Sequence, residues 1–150
     1  RLNLEFIDSD AEIEARTGVD IAYIFEREGE AGFRSREAEV IDALSRRDRV
    51  LVSTGGGAIL DASTRERLRA RGRVVYLRTS VDQQLARTRR SNDRPLLNND
   101  DPRGTLERLF EQRAPLYTEV AEIVVDTDGR KVKTVVDQIC HQLGVEGLEP

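Results

Sequence analysis

Four short groups of residues have the types and spacing to do chemistry. Asp8-Ser9-Asp10 follows the apolar run Leu4 to Ile7. Two carboxylates two residues apart at the end of a strand can hold a metal ion through water and accept a hydroxyl proton. Ser9 or Asp10 can equally cap a following helix and have no other duty. Gly55-Gly56-Gly57 follows a second apolar run, Val50 to Thr54. Successive glycines expose backbone N–H groups and admit a ligand that a Cβ atom would repel, although a glycine cluster also makes an ordinary turn.

Arginine supplies the other two groups. Arg34 and Glu37 are three apart and share a face if helical. They form either a surface ion pair or a carboxylate that holds a guanidinium in place for an anionic ligand. Arg113 is the most informative single residue, because its spacing from Leu106, Phe110 and Tyr117 places a guanidinium on the inward face of a helix. An unpaired charge there is expensive, so an internal carboxylate or a ligand carboxylate or phosphate should meet it. Pro115 is expected to break or kink that helix. The stretch Arg87 to Asp101 carries four Arg in its first eight residues. It reads as a solvated loop or as a lid that closes cations over an anion. Cys140 and His141 lack a partner at metal-ligand or catalytic spacing and read as structural.

Four strands are expected to position these groups: Leu4 to Asp8, Val50 to Thr54, Val74 to Leu77 and Ile123 to Asp126. All are rich in β-branched residues and nearly continuous, as buried parallel strands are. Helical stripes lie between them, through Phe33, Glu37, Val40, Ile41 and Leu44, then Val81, Leu85 and Thr88, then Leu106 to Tyr117, and last Val132, Val135, Val136, Ile139 and Leu143. Capping boxes are expected at Ser9 to Glu12 and Ser63 to Glu66, a helix opening at Arg34 after Gly32-Phe33, and an N-cap at Asp101 before Pro102. Alternating strands and helices imply an α/β domain with a mostly parallel sheet covered on both faces, whose ligands bind beyond the carboxyl ends of the strands.

Composition bounds the possibilities. The 150 residues suffice for one domain with its own core. A charged fraction of 35% and a mean hydropathy of -0.53 describe a soluble globular chain without membrane spans. One cysteine excludes an internal disulfide and suits a reducing compartment. The net charge of -4 disfavours nucleic acid as a general partner. All basic residues but Lys131 and Lys133 are Arg, whose planar fork grips carboxylates and phosphates, although genomic base composition also enriches it. Because the chain contains no Met, an incomplete translation product is expected.

Phe-Ile-Asp-Ser-Asp, Glu-Gly-Glu-Ala-Gly-Phe-Arg, Ser-Thr-Gly-Gly-Gly, Val-Val-Tyr-Leu, Arg-Pro-Leu-Leu and Arg-Ala-Pro-Leu-Tyr occur in an order and approximate spacing that resembles the shikimate kinase family, from residue 1 to about residue 143. The resemblance implies a P-loop kinase-like three-layer α/β fold, with sheet order 2-3-1-4-5, that transfers the γ-phosphoryl of ATP with Mg²⁺ to the 3-hydroxyl of shikimate in chorismate and aromatic amino acid biosynthesis. Carried over residue by residue, it makes Asp10 the acid that binds the shikimate hydroxyls and acts as base, and Asp8 the acid near Mg²⁺, through water. Arg34 and Arg113 become the grip on the substrate carboxylate. Gly55, Gly56 and Gly57 lie beside the ring, with Phe25, Phe33, Glu37, Pro95 and Leu96 around it. Arg94 reaches toward the transferred phosphoryl, and Arg87 lies against adenine. Phosphoryl transfer needs chiefly positioned reactants and offset charge, which suits convergent Arg and Asp.

One departure is large: no Gly-Lys dipeptide, and so no Walker A loop, occurs. Residues 1–150 are then expected to be a kinase domain lacking its first strand and phosphate loop, where the main Mg²⁺ ligand would lie, with a lid within 88–101. Val50 to Thr54 and Val74 to Leu77 would lack their natural neighbour, and these residues alone would neither fold stably nor turn over ATP. The resemblance further implies a cytoplasmic monomer that binds shikimate and ATP. Two competing readings are another small-metabolite P-loop kinase of the gluconate kinase type and a non-catalytic module that binds a shikimate-like acid.

Overall fold

A computed structural model describes residues 1–88 and 100–145 of the chain. Strand β1 (Glu5–Asp8) leads directly into α1 (Ser9–Thr17) and the long α2 (Ile21–Ser45). Strand β2 (Val50–Ser53) is followed by the glycine turn, a short 3₁₀ turn (Ala58–Leu60) and α3 (Ala62–Arg71). Then come β3 (Val75–Arg78), α4 (Val81–Thr88), α5 (Pro102–Val120), β4 (Ile123–Asp126) and α6 (Val132–Gln142). The expected α/β alternation is the observed one, with strand ends within one residue of the apolar runs.

The strands form two parallel pairs. β1 pairs with β2 with Asp8 opposite Ser53, and β3 pairs with β4 with Arg78 opposite Asp126. Among the described residues β2 and β3 are not bonded to each other.

Two cores hold the pairs to their helices. Ile13, Ile24, Phe33, Val40 and Leu44 bury one side of β1 and β2 with help from Ile7 and Val52. Ile123, Val125 and Val135 form the second with Val75, Ile139 and Leu143. Packing of α3 against α2 and α5, and of α4 against α5, joins the halves. The expected cover on both sheet faces is not met among the described residues. Phe6, Leu51 and Leu77 are 64%, 41% and 51% exposed. Successive strand side chains point to opposite faces. Ile7 and Val52 therefore reach the core while their neighbours Phe6 and Leu51 point away from it, and a nearly continuous apolar run conceals that division.

Several element boundaries differ from expectation for local reasons. Asp8, not Ser9 or Asp10, caps α1, its Oδ1 accepting from the N–H groups of Asp10 at 2.9 Å and Ala11 at 3.1 Å. Asp61 caps α3 by accepting from the Thr64 N–H at 2.9 Å, so no box forms at Ser63. Aspartate at either position satisfies first-turn donors that the serine would otherwise meet. Asp101 caps α5 ahead of Pro102, as expected. No helix opens at Arg34. The discontinuity in α2 falls earlier, at Gly29 with φ 72° and ψ −177°, a left-handed φ that glycine tolerates. Helix α5 runs on through Pro115 to Val120 rather than ending there. Proline removes one backbone donor, and the contacts of Leu106, Tyr117 and Val120 on either side of it keep the helix in place. Val132, expected on the inner stripe of α6, is 80% exposed because it occupies the first turn, short of the β4 contact that buries Val135.

Candidate active site

Parallel pairing with Asp8 opposite Ser53 brings the carboxyl ends of β1 and β2 together. The Asp8-Ser9-Asp10 corner and the triple-glycine turn therefore become neighbours although more than forty residues separate them. The close approaches to the three glycines describe the site. A Cβ on Gly55 would lie 3.1 Å from Glu37 Oε2 and 3.4 and 3.5 Å from the two carboxylate oxygens of Asp10. On Gly56 it would lie 3.1 Å from both Arg113 Nη1 and the Tyr117 hydroxyl, and on Gly57 it would overlap the guanidinium of Arg34. Five polar side chains from α1, α2 and α5 crowd the space that side chains on this turn would take.

Arg34 and Glu37 are a turn apart on α2, and Arg34 Nη1 donates to Glu37 Oε1 at 2.9 Å. Glu37 is only 2% exposed, so the pair is not the surface ion pair that its spacing allows. Burial pushes the Glu37 carboxyl above its ordinary value; the Arg34 charge and hydrogen bond oppose that rise, Asp10 adds to it and Arg113 opposes it. Beneath them Phe33 is buried, with the Arg34 guanidinium 5.1 Å from its ring centroid and the Phe25 ring 4.8 Å away. Phe25 and Phe33 thus lie in and against the first core, as a floor under Arg34.

Arg113 reaches the turn from α5. Among the described residues it makes no ion pair with a carboxylate. Its Nε is buried without a hydrogen-bond partner, as is Glu37 Oε2, while Arg34 Nε lies 3.5 Å from Glu30 Oε1. Buried polar atoms in folded chains are nearly always paired, and two such atoms beside one glycine turn mark a place for a polar ligand. The arrangement offers two guanidinium groups to an anion and two carboxylates to hydroxyl groups. A cavity of about 210 Å³ adjoins the cluster, sharing Arg34, Glu37 and Gly57 but not Asp10 or Arg113.

Other candidate residues lie elsewhere. Asp8 is exposed at the strand end, with Oδ1 committed to the helix cap. Arg87 is exposed in the last turn of α4, at the carboxyl end of the other strand pair. The side-chain and backbone hydrogen bonds of Ser80 hold Asp128 below the usual carboxylate range, with a lesser contribution from the Arg87 charge. Arg94, Pro95 and Leu96, and most of the lid segment, fall outside the described residues.

The sequence marks Tyr117 as one member of an apolar helical stripe and as the end of Arg-Ala-Pro-Leu-Tyr, without a role of its own. In the structure its hydroxyl donates to the Gly56 carbonyl, and its ring stacks on Tyr76 with centroids 4.6 Å apart. The sequence signal that could have found it is its spacing of four from Arg113, one turn along the same face.

The family model for shikimate kinase matches residues 1–144. A shikimate kinase of Shewanella amazonensis is 54% identical over 143 residues, covering 95% of this chain and 84% of that protein. One of Halorhodospira halophila is 57% identical over 142 residues, covering 95% and 80%. Among solved structures, the shikimate kinase from Acinetobacter baumannii in complex with shikimate has a TM-score of 0.92 at 44% identity, covering 97% of this chain and 82% of that one. The shikimate kinase from Bacteroides thetaiotaomicron has a TM-score of 0.85 at 30% identity, covering 95% and 85%. With sequence, strand pairing and helix order all in agreement, the chain belongs to the shikimate kinase family.

Proposed function

We propose that this protein transfers the γ-phosphoryl of ATP to the 3-hydroxyl of shikimate, with Arg34 and Arg113 gripping the shikimate carboxylate and Asp10 receiving the hydroxyl proton. The observation that carries the assignment of roles is the pair of guanidinium groups on successive glycines of one turn, with no described carboxylate pairing Arg113. A planar carboxylate offers each fork two acceptor oxygens, and the Gly55 to Gly57 backbone leaves room for a ring beside it.

Shikimate enters between the Asp10 corner and α5. Glu37 holds Arg34 through its Oε1 and faces Gly55 through Oε2, which leaves that oxygen available to a substrate hydroxyl. Phe33 and Phe25 support the floor, and the roles of Pro95 and Leu96 beside the ring rest on the family resemblance alone. Asp10, in the first turn of α1, lies beside the same turn and accepts the proton as the oxygen attacks phosphorus. Arg94 offsets charge on the transferred phosphoryl, and Arg87 lies against adenine.

Mg²⁺ fits this corner in one way. Among the described residues no group of three potential ligands forms a metal site. Asp8, exposed and with Oδ2 outside the cap interaction, suits a contact through water. When bound, the ion offsets negative charge on the phosphate oxygens.

The net charge of -4 supports action without nucleic acid, and the family resemblance supports a cytoplasmic monomer. No helix among the described residues is long and apolar enough to cross a membrane. Assay of the full-length protein with ATP and either shikimate or gluconate tests the reading: turnover with shikimate alone supports it, and turnover with gluconate overturns it. Calorimetry adds the remaining contrast, since a non-catalytic binder gives heat with shikimate and none with ATP.

A further inference from the structure

The triple-glycine turn has no side chains with which to hold itself. A peptide plane between two glycines rotates with little steric resistance, so something outside the turn must decide which way the Gly56 carbonyl points. From the structure we infer that the Tyr117 hydroxyl is the latch that fixes the Gly56–Gly57 peptide plane and keeps Arg113 beside it, making Tyr117 a positioning residue for the carboxylate end of the substrate. This rests on the reading of the site as one that holds shikimate.

Three contacts support the role. The hydroxyl donates to the Gly56 carbonyl across 61 residues of chain. In a trans peptide the N–H points opposite to the carbonyl, so holding that oxygen also sets the direction of the Gly57 N–H. The Tyr117 ring is itself held, stacked on Tyr76 of β3 with a ring-to-ring distance of 4.6 Å and an interplanar angle of 29°. Finally, the hydroxyl and Arg113 Nη1 stand at the same 3.1 Å from the position a Gly56 Cβ would take, so one turn of α5 presents both to a single peptide. A tyrosine hydroxyl is protonated and able to donate at neutral pH, and burial raises that of Tyr117 further against the opposing charge of Arg113. The latch therefore ties the second strand pair, through Tyr76, to a turn that grows from the first.

The variant Tyr117→Phe retains the ring and its stacking and loses only the donor. In the full-length protein the KM for shikimate should rise on the order of tenfold, as for loss of one hydrogen bond that orders a site. The KM for ATP and kcat at saturating shikimate should stay within about twofold, a split that general loss of structure does not produce. Amide hydrogen exchange over residues 55–57 should accelerate. Unchanged exchange there overturns the latch, whatever the substrate proves to be. Accelerated exchange with an unaltered shikimate KM overturns its part in binding. If the wild-type protein does not phosphorylate shikimate the functional reading falls, and the exchange measurement still decides the latch.

Discussion

The guanidinium of Arg34 occupies the space that a side chain on Gly57 would fill. The obstructing atoms are the far end of a flexible side chain, so Gly57→Ala should leave the fold intact and displace Arg34 from the turn and from Glu37. The shikimate KM should rise by about tenfold or more, the scale of a charge-assisted hydrogen bond. An unchanged KM would mean that Arg34 binds no part of the substrate. Steady-state kinetics with each substrate varied in turn makes the measurement.

Arg113 forms no ion pair with a carboxylate among the described residues, although its charge acts on buried Glu37, and its Nε is buried and unbonded. Replacing it by Ala should raise the shikimate KM by roughly ten- to hundredfold, corresponding to about 1.5–3 kcal/mol for hydrogen bonds to a charged group. Lys at this position should recover only part of the loss, because a point charge cannot reproduce the fork. A normal KM in the Ala variant would leave Arg113 as a structural neighbour of Tyr117.

Asp10→Asn keeps the shape of the side chain and removes its ability to accept a proton. A loss in kcat of about 10²–10⁴ is expected for a general base, with a smaller effect on the shikimate KM. Turnover near the wild-type rate would reduce Asp10 to an acidic residue in the first turn of α1.

Glu37 gives a pH signature of definite sign. Burial, opposed by Arg34, raises its carboxyl above the ordinary 4.5, so the folded state binds this proton more tightly than the unfolded chain does. Its contribution to stability should therefore decline as pH rises from about 4.5 through the raised value and be level beyond it. The unfolding free energy of the wild type minus that of Glu37→Gln, followed by denaturant titration from about pH 4 to about pH 8, isolates the effect. A difference that grows with pH in this window would show that the Arg34 charge, not burial, governs the group.

Most side chains of the candidate site, Tyr117 excepted, and most of the scaffold around them were legible in the sequence. The β-branched runs and the helical stripes marked the elements, because local apolar periodicity is what a strand or helix must present to a core. Asp10, Arg34, the three glycines and Arg113 stood out by type and by their place after a strand or on an inward face. Capping was less legible. Asp8, Ser9 and Asp10 can all accept from first-turn N–H groups, and the choice of Asp8 depends on the φ and ψ with which β1 enters the helix. The break at Gly29 instead of Gly32 and the continuation of α5 through Pro115 are decided in the same way, by packing on either side of residues whose local preference is weak or adverse.

Convergence was beyond the reach of spacing. Arg34 and Glu37 are neighbours by helical geometry alone, and the sequence determined that pair outright. Whether the pair lay at the surface or was buried against Gly55 and Gly57 depended on the Asp8 to Ser53 register and on the packing of α2 beneath it. Tyr117 shows the same limit more sharply. Its stripe position established that the ring turns inward, but a hydroxyl has no partner until another element supplies a carbonyl at hydrogen-bonding distance. Local sequence dictates periodicity, caps and side-chain chemistry because these act within a few residues. The meeting of α1, α2, α5 and one glycine turn is a long-range event, and only the tertiary structure, through strand register and helix packing, decided it.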